Sequence, residues 1–171
     1  MQIFLIVIIV LILVIALLYV LVPAWYGLPP ISTHSDRIRK ALKLANLQPN
    51  EVLYDLGCGH GGVLVIAAKE FGANAVGIEV GPVQCFVSWV NCLRSGIKSK
   101  VRIEAGDFFK SDLSQADVVF AYLTSEFAER LGEKLKNELK AGTRVVTVAF
   151  ELSEWKACWF DREGLIWVYK K

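Results

Sequence analysis

The chain has 171 residues, enough for one globular domain and a short additional segment. Its formal net charge is +2, from 19 Lys and Arg against 17 Asp and Glu, which lacks the concentrated positive field of a nucleic-acid-binding domain. Four cysteines and two histidines, with no C-x-x-C pair, provide neither a disulfide framework nor a zinc site, and reduced thiols in a cytosolic compartment fit best.

The first element is apolar throughout. Ile3 to Val22 are twenty consecutive uncharged, almost wholly aliphatic residues. As a helix at ~1.5 Å per residue they reach ~30 Å, the thickness of a bilayer's hydrocarbon core. Pro23, Trp25 and Tyr26 follow as interfacial punctuation. A cleaved signal peptide would carry a basic start and a small-x-small cleavage site, and neither is present. Residues 1–22 are therefore expected to be a retained transmembrane anchor that contacts the lipid bilayer through residues 3–22. No Lys or Arg precedes the span, whereas Arg37, Arg39, Lys40 and Lys43 follow it. That asymmetry places the N-terminus outside and the rest of the chain on the cytoplasmic (or matrix) side, and the basic cluster also suits anionic lipid.

Residues 23–33, with three prolines and one glycine, read as a linker to a domain over 34–171. Thr33, His34, Ser35 and Asp36 offer N-caps for a helix to Asn46, whose apolar face is Ile38, Ala41, Leu42 and Ala45. Strands are expected at Val52–Leu56, Ala75–Glu79, Val101–Glu104, Asp117–Tyr122 and Thr143–Phe150. Helices are expected at Val63–Phe71, from Pro82 to about Ser95, and at Glu126–Leu139. Trp155–Phe160 and Leu165–Tyr169 read as a closing hairpin around Asp161-Arg162-Glu163-Gly164. This order implies an α/β, doubly wound, Rossmann-like sheet of seven strands, mainly parallel, with a C-terminal antiparallel hairpin. Ligands of such sheets bind beyond the carboxyl ends of the strands.

The chemistry concentrates at those ends. The first strand runs into Asp55-Leu56-Gly57-Cys58-Gly59-His60-Gly61-Gly62, an acid and a glycine-rich turn opening a helix. Gly57, Gly59 and Gly62 match the G-x-G-x-x-G dinucleotide fingerprint, with Glu79 after the second strand. Asp55 argues against that reading, because a carboxylate there would repel a pyrophosphate. S-adenosylmethionine instead presents an ammonium, a sulfonium and a ribose diol, which suit acids. Glu79 and Asp107, in Ala105-Gly106-Asp107-Phe108, continue the pattern, so three successive strands each end in an acid.

With these motifs the chain resembles a class I S-adenosylmethionine-dependent methyltransferase over roughly residues 31–171. It is most similar to small protein-lysine methyltransferases, among them the ATP synthase c-subunit lysine methyltransferase group and archaeal relatives. The resemblance is carried by Val52-Leu53-Tyr54-Asp55-Leu56-Gly57, Ala75-Val76-Gly77-Ile78-Glu79, Glu138-Leu139-Lys140-Ala141-Gly142-Thr143-Arg144-Val145-Val146, and Trp155-Lys156. It implies a cofactor site of Asp55, Gly57, Cys58, Gly59, Gly61, Glu79, Asp107 and Phe108. The glycine loop would wrap the methionine part, Glu79 would hold the ribose hydroxyls and Asp107 would face the adenine. No metal is implied.

The acceptor is expected beside Ala121-Tyr122-Leu123-Thr124-Ser125-Glu126, at the end of the fourth strand. Tyr122 and Thr124 are the catalytic candidates: Tyr122 to orient an incoming amine or face the sulfonium, Thr124 to accept a hydrogen bond. Similar lysine methyltransferases often carry a proline shortly after this aromatic-Leu pair, where this chain has Ser125. Each residue also has a plainer use: the glycines as a tight turn, Asp107 as a cap on its own loop, Tyr122 as packing, His60 as a loop residue and Thr33 as an N-cap. The expected activity is methyl transfer to a lysine of a membrane protein. The rivals are a methyltransferase of a membrane-soluble small molecule and a non-catalytic scaffold that binds S-adenosylmethionine. No nucleic-acid partner is expected.

Overall fold

The computed structural model describes residues 1–27 and 33–171, so residues 28–32 of the linker expected at 23–33 lie outside the described residues. Helix α1 spans Gln2–Trp25, followed by α2 (Ser35–Leu44), β1 (Val52–Leu56), α3 (Gly62–Glu70), β2 (Asn74–Glu79) and α4 (Pro82–Arg94). Then come β3 (Val101–Ala105), β4 (Val118–Tyr122), α5 (Ala128–Glu138), β5 (Arg144–Val148), β6 (Trp159–Asp161) and β7 (Ile166–Lys170).

The seven strands form one sheet in the order β3-β2-β1-β4-β5-β7-β6. The first five run parallel, β7 is antiparallel to β5, and β6 is antiparallel to β7. The chain winds outward from β1 to β3 and returns beside β1 as β4, so the topological switch lies between β1 and β4. Loops after these two strands diverge there and leave a crevice.

Strand alternation sorts the core into two layers. Leu53, Val118 and Phe120 pack with Ile38, Leu42 and Leu64 of α2 and α3 on one face. Tyr54, Leu56, Val119 and Ala121 pack with Leu131 and Leu135 of α5 on the other. The period of two puts Asp55 on the α3 face, where the crevice opens. Gly77, opposite Asp55 in the β1–β2 register, lets Cys58 of the glycine-rich turn sit down on the sheet. A Cβ on Gly77 would come within 2.7 Å of Cys58 Sγ and 2.6 Å of Leu64 Cδ1.

Several element boundaries depart from the sequence reading. Helix α2 ends at Leu44, because Asn46 takes a left-handed φ of 51°. His34 is its N-cap, and no side chain makes a capping hydrogen bond. Strand β5 stops at Val148, since Ala149 turns at φ 66° and its N–H reaches Leu165 O at 2.8 Å. Strand β6 is three residues long rather than beginning at Trp155. The Trp155 indole turns onto α5, donating to Gly132 O at 3.1 Å and meeting the Tyr169 ring edge-on. A short 3-10 turn, Ser125–Phe127, precedes α5.

Two of the basic residues after α1 are engaged within the domain rather than presented to lipid. Arg39 forms a two-pronged contact with Glu70 of α3, and Lys40 pairs with Asp161 of β6 at 2.8 Å. They fix α2 to its neighbours. All four cysteines are free thiols.

Helix α1 continues through Pro23 to Trp25. Proline has no N–H for the carbonyl four residues earlier, which leaves Tyr19 O without its helical partner. Gln84 Nε2 of α4 donates to that carbonyl at 2.8 Å. The proline thus creates the acceptor by which the apolar helix is attached to the domain. Pro23 is the one buried residue of α1.

Candidate active site

A cleft of about 260 Å³ opens at the β1–β4 switch. Its floor is Asp55 at the end of β1, the turn Gly57-Cys58-Gly59, and Glu79 at the end of β2. Gly57, Gly59 and Gly61 take φ of 79°, 52° and 79°, values that a side chain would strain. The N–H groups of Gly57 and Cys58 both donate to Ile78 O, at 2.9 and 3.1 Å, which locks the turn against β2.

Glu79 holds this floor together. One carboxylate oxygen accepts from the Gly59 N–H at 2.9 Å and the other from the Gly81 N–H at 2.8 Å. Each oxygen retains a lone pair for a further donor. Asp55 is 3% exposed and Glu79 5%. Burial, with the neighbouring Glu79 charge adding to it, pushes the Asp55 carboxyl up to about 8. Burial likewise drives the Cys58 thiol well above its ordinary value, so it stays an un-ionised packing group. Two buried acids on one cleft wall are costly without a cation, and the arrangement fits a cationic ligand.

The opposite wall is Phe120, Tyr122 and Leu123 from the end of β4. Thr124 follows immediately, and its Oγ1 is buried with no hydrogen-bond partner among the described residues. Thr33, Ile38, Gly62 and Val63 complete the sides. The roof comes from α1: Tyr19 and Pro23 face the cleft. The Tyr19 hydroxyl lies 3.0 Å from His60 Nε2, with the two rings stacked at 5.9 Å. Asn91 Nδ2 of α4 holds the His60 carbonyl at 3.0 Å. Beyond the roof, Gly27 packs close to the Phe127 ring.

Asp55, Gly57, Cys58, Gly59, Glu79 and Tyr122 therefore gather on one cleft. Four sequence-derived residues stand off its lining, the first of them Thr124, which lies just past the Leu123 wall with its hydroxyl buried. Gly61 is the N-cap of α3, where an added Cβ would collide with Ser88, and Gly62 lines the cleft in its place. Asp107 Oδ1 accepts the Phe109 N–H at 2.9 Å, capping its own loop. Phe108 is buried against Phe109 at 4.6 Å between ring centroids. This loop still borders the floor, since the Gly106 N–H donates to Glu79 O at 2.8 Å. The roof residues Tyr19 and Pro23, together with Gln84, had no place in the sequence-derived site. The missing N–H of Pro23 was the signal that could have found them.

Residues 55–159 match the family model described as the ANTKMT methyltransferase domain. The chain belongs to this methyltransferase family. It is 37% identical over 128 residues to a protein-lysine N-methyltransferase of Saccharolobus islandicus (strain REY15A), covering 74% of this chain and 80% of that protein. It is 27% identical over 144 residues to the ATP synthase c-subunit lysine N-methyltransferase of Xenopus laevis, covering 83% of this chain and 63% of that one. A crystal structure of an RNA methyltransferase from Salinibacter ruber, in complex with S-adenosyl-L-homocysteine, superposes with a TM-score of 0.77 at 34% identity. That match covers 81% of this chain and 91% of the other.

The protein is thus an S-adenosylmethionine-dependent methyltransferase with a Rossmann-like fold. The cleft suits that cofactor on its own chemistry. Its buried acids suit positive charge, and at Gly59 an added Cβ would find no protein atom within 4 Å, leaving open space beside the loop.

Proposed function

We propose that this methyltransferase acts on a lysine amine of a membrane protein, from a cleft held at the bilayer surface by α1. The observation that carries the reading is the continuity of α1. Its apolar length, with a mean hydropathy of 3.7 and no buried residue in the most apolar stretch, leads directly into the cleft roof at Tyr19 and Pro23. Residues 1–22 are the anchor, with the N-terminus outside and the catalytic domain over 34–171 on the cytoplasmic or matrix side. An acceptor reaching this cleft must approach at the level where the helix leaves the membrane. The lysine assignment draws support from the names of the Saccharolobus and Xenopus relatives.

The cofactor, when bound, supplies an activated methyl group with its own leaving group. In this reading Asp55 and the loop Gly57, Cys58, Gly59 and Gly61 hold its methionine part, and Glu79 holds the ribose. Asp107 and Phe108 border the adenine. The acceptor amine must be neutral to react, and with a reference pKa near 10.4 only ~0.1% of a lysine is neutral near pH 7.4. Tyr122, Leu123 and Phe120 surround the amine with apolar surface, which favours proton loss. The Thr124 hydroxyl, next to that wall and without a partner among the described residues, is the oxygen that would accept a hydrogen bond from it and orient it.

Glu79→Ala is expected to weaken S-adenosylmethionine binding by about 1.5–3 kcal/mol, the range for hydrogen bonds to a charged group. Calorimetric titration measures it, and unchanged affinity would remove Glu79 from the site. For the acceptor, the full chain is incubated with labelled cofactor and depleted membranes, and the label is mapped by peptide mass spectrometry. The expected result is methylated lysine in a membrane protein. Label confined to the lipid extract, or to RNA added alongside, overturns the proposal. The second arm matters because the Salinibacter protein is described as an RNA methyltransferase.

A further inference from the structure

Helix α4 is amphipathic in the wrong sense for a soluble domain. Its inward positions Gln84, Ser88 and Cys92 are polar or small and buried. Its outward stripe Pro82, Phe86, Trp89 and Leu93 is apolar at i, i+4, i+7 and i+11, a single helical face. Phe86 is 64% exposed, Trp89 44% and Leu93 45%. Phe86 and Trp89 stack on each other at 6.2 Å, which presents a continuous aromatic ridge. A ridge of this kind on a domain with an otherwise ordered core asks for an apolar cover.

The position of α1 says what that cover is. The apolar helix docks on α4, and its Tyr19 carbonyl accepts the Gln84 side chain within the turn that carries Phe86. From that contact toward its N-terminus, residues 2–18 of α1 are exposed along their whole length. The bilayer those residues would occupy therefore begins beside the first turns of α4. At the far end of the stripe, Arg94 and Lys98 are exposed, the order expected for apolar residues in the interface and cations at the phosphates. Trp and Phe on such a face favour the headgroup boundary.

We propose that the outer face of α4 lies in the interfacial layer of the membrane as a second contact, with Phe86, Trp89 and Leu93 inserted among lipid. This rests on the reading of α1 as a bilayer span. One helix alone leaves the domain free to swivel about its exit point. Two contacts fix the tilt of the cleft, so that its mouth is held at headgroup level and selects acceptor lysines close to the lipid surface.

The test uses the full chain in phosphatidylcholine/phosphatidylglycerol vesicles. A photocrosslinking benzoyl-phenylalanine replaces Phe86, Trp89 or Leu93 one at a time, with Leu11 in α1 and the exposed Asn137 of α5 as references. Lipid adducts are read by mass spectrometry. The expected result is adduct formation at 86, 89 and 93 approaching that at 11 and several-fold above that at 137. Adducts at 11 with none at the three α4 positions overturn this inference and leave the anchor standing. No adduct at 11 defeats the anchor and the inference together. Protein–protein crosslinks at 86, 89 and 93 in place of lipid adducts assign the face to a second copy and overturn the lipid reading.

Discussion

Asp55→Asn is expected to weaken S-adenosylmethionine binding at pH 8 by on the order of tenfold to a hundredfold, and to flatten its pH dependence below that. In the free protein, burial together with the Glu79 charge raises the Asp55 carboxyl to about 8. In the unfolded chain it titrates near 3.9. Between these values the folded state holds more protons than the unfolded one, so this group lowers stability as pH rises through the window. A bound ammonium or sulfonium favours the carboxylate, so binding below pH 8 must expel a proton from Asp55. Affinity should therefore fall as pH drops from 8 toward 6, by up to about tenfold per unit. The asparagine variant has no such proton to release, and free of cofactor it should melt higher than the parent at pH 8. The amine of the ligand titrates identically in both experiments and cancels from the difference. Calorimetry in two buffers of different ionisation enthalpy counts the released protons. Equal pH slopes in parent and variant would remove Asp55 from contact with positive charge.

The same residue shows why much of the site could be read before the fold. A strand's period of two and its end fix where a side chain points, so Asp55 and Glu79 are placed by local pattern alone. Both stand on the cleft, with the glycine turn between them. Asp107 and Phe108 lie in a loop, where local hydrogen bonding competes with any ligand: the Asp107 carboxylate is engaged by the Phe109 N–H. Trp155 has strand character by composition, yet the Gly132 carbonyl and the Tyr169 ring draw it inward, a tertiary choice invisible to its neighbours in sequence. The roof is the clearest case. An aliphatic run reads as lipid-facing throughout, and nothing local tells that its last two turns face a protein cleft. The exception is Pro23, whose absent N–H requires some donor for Tyr19 O. Gln84, 65 positions later, meets that requirement.

Deleting residues 1–27 is expected to lower the rate on a bilayer-embedded acceptor by on the order of 10²–10⁴, the range over which tethering changes effective concentration. The fold should survive, because both core layers are built from α2 onward and Pro23 is the one fully buried residue of α1. Cofactor affinity should drop far less, by an amount near that of one ordinary hydrogen bond, about 1 kcal/mol. The floor of Asp55, Glu79 and the glycine loop remains, and what is lost is the Tyr19–His60 contact and the Pro23 lid. Tethering and roofing separate in a second chain that keeps residues 19–27 and carries an unrelated apolar helix in place of residues 2–18. If the anchor acts by confinement, that chain regains most of the rate on the membrane acceptor. The shortened domain would meanwhile still bind cofactor in calorimetry. A truncated protein that methylates the membrane acceptor as fast as the full chain would show that the helix serves neither purpose. A grafted chain that binds cofactor but stays slow would show that residues 2–18 do more than tether.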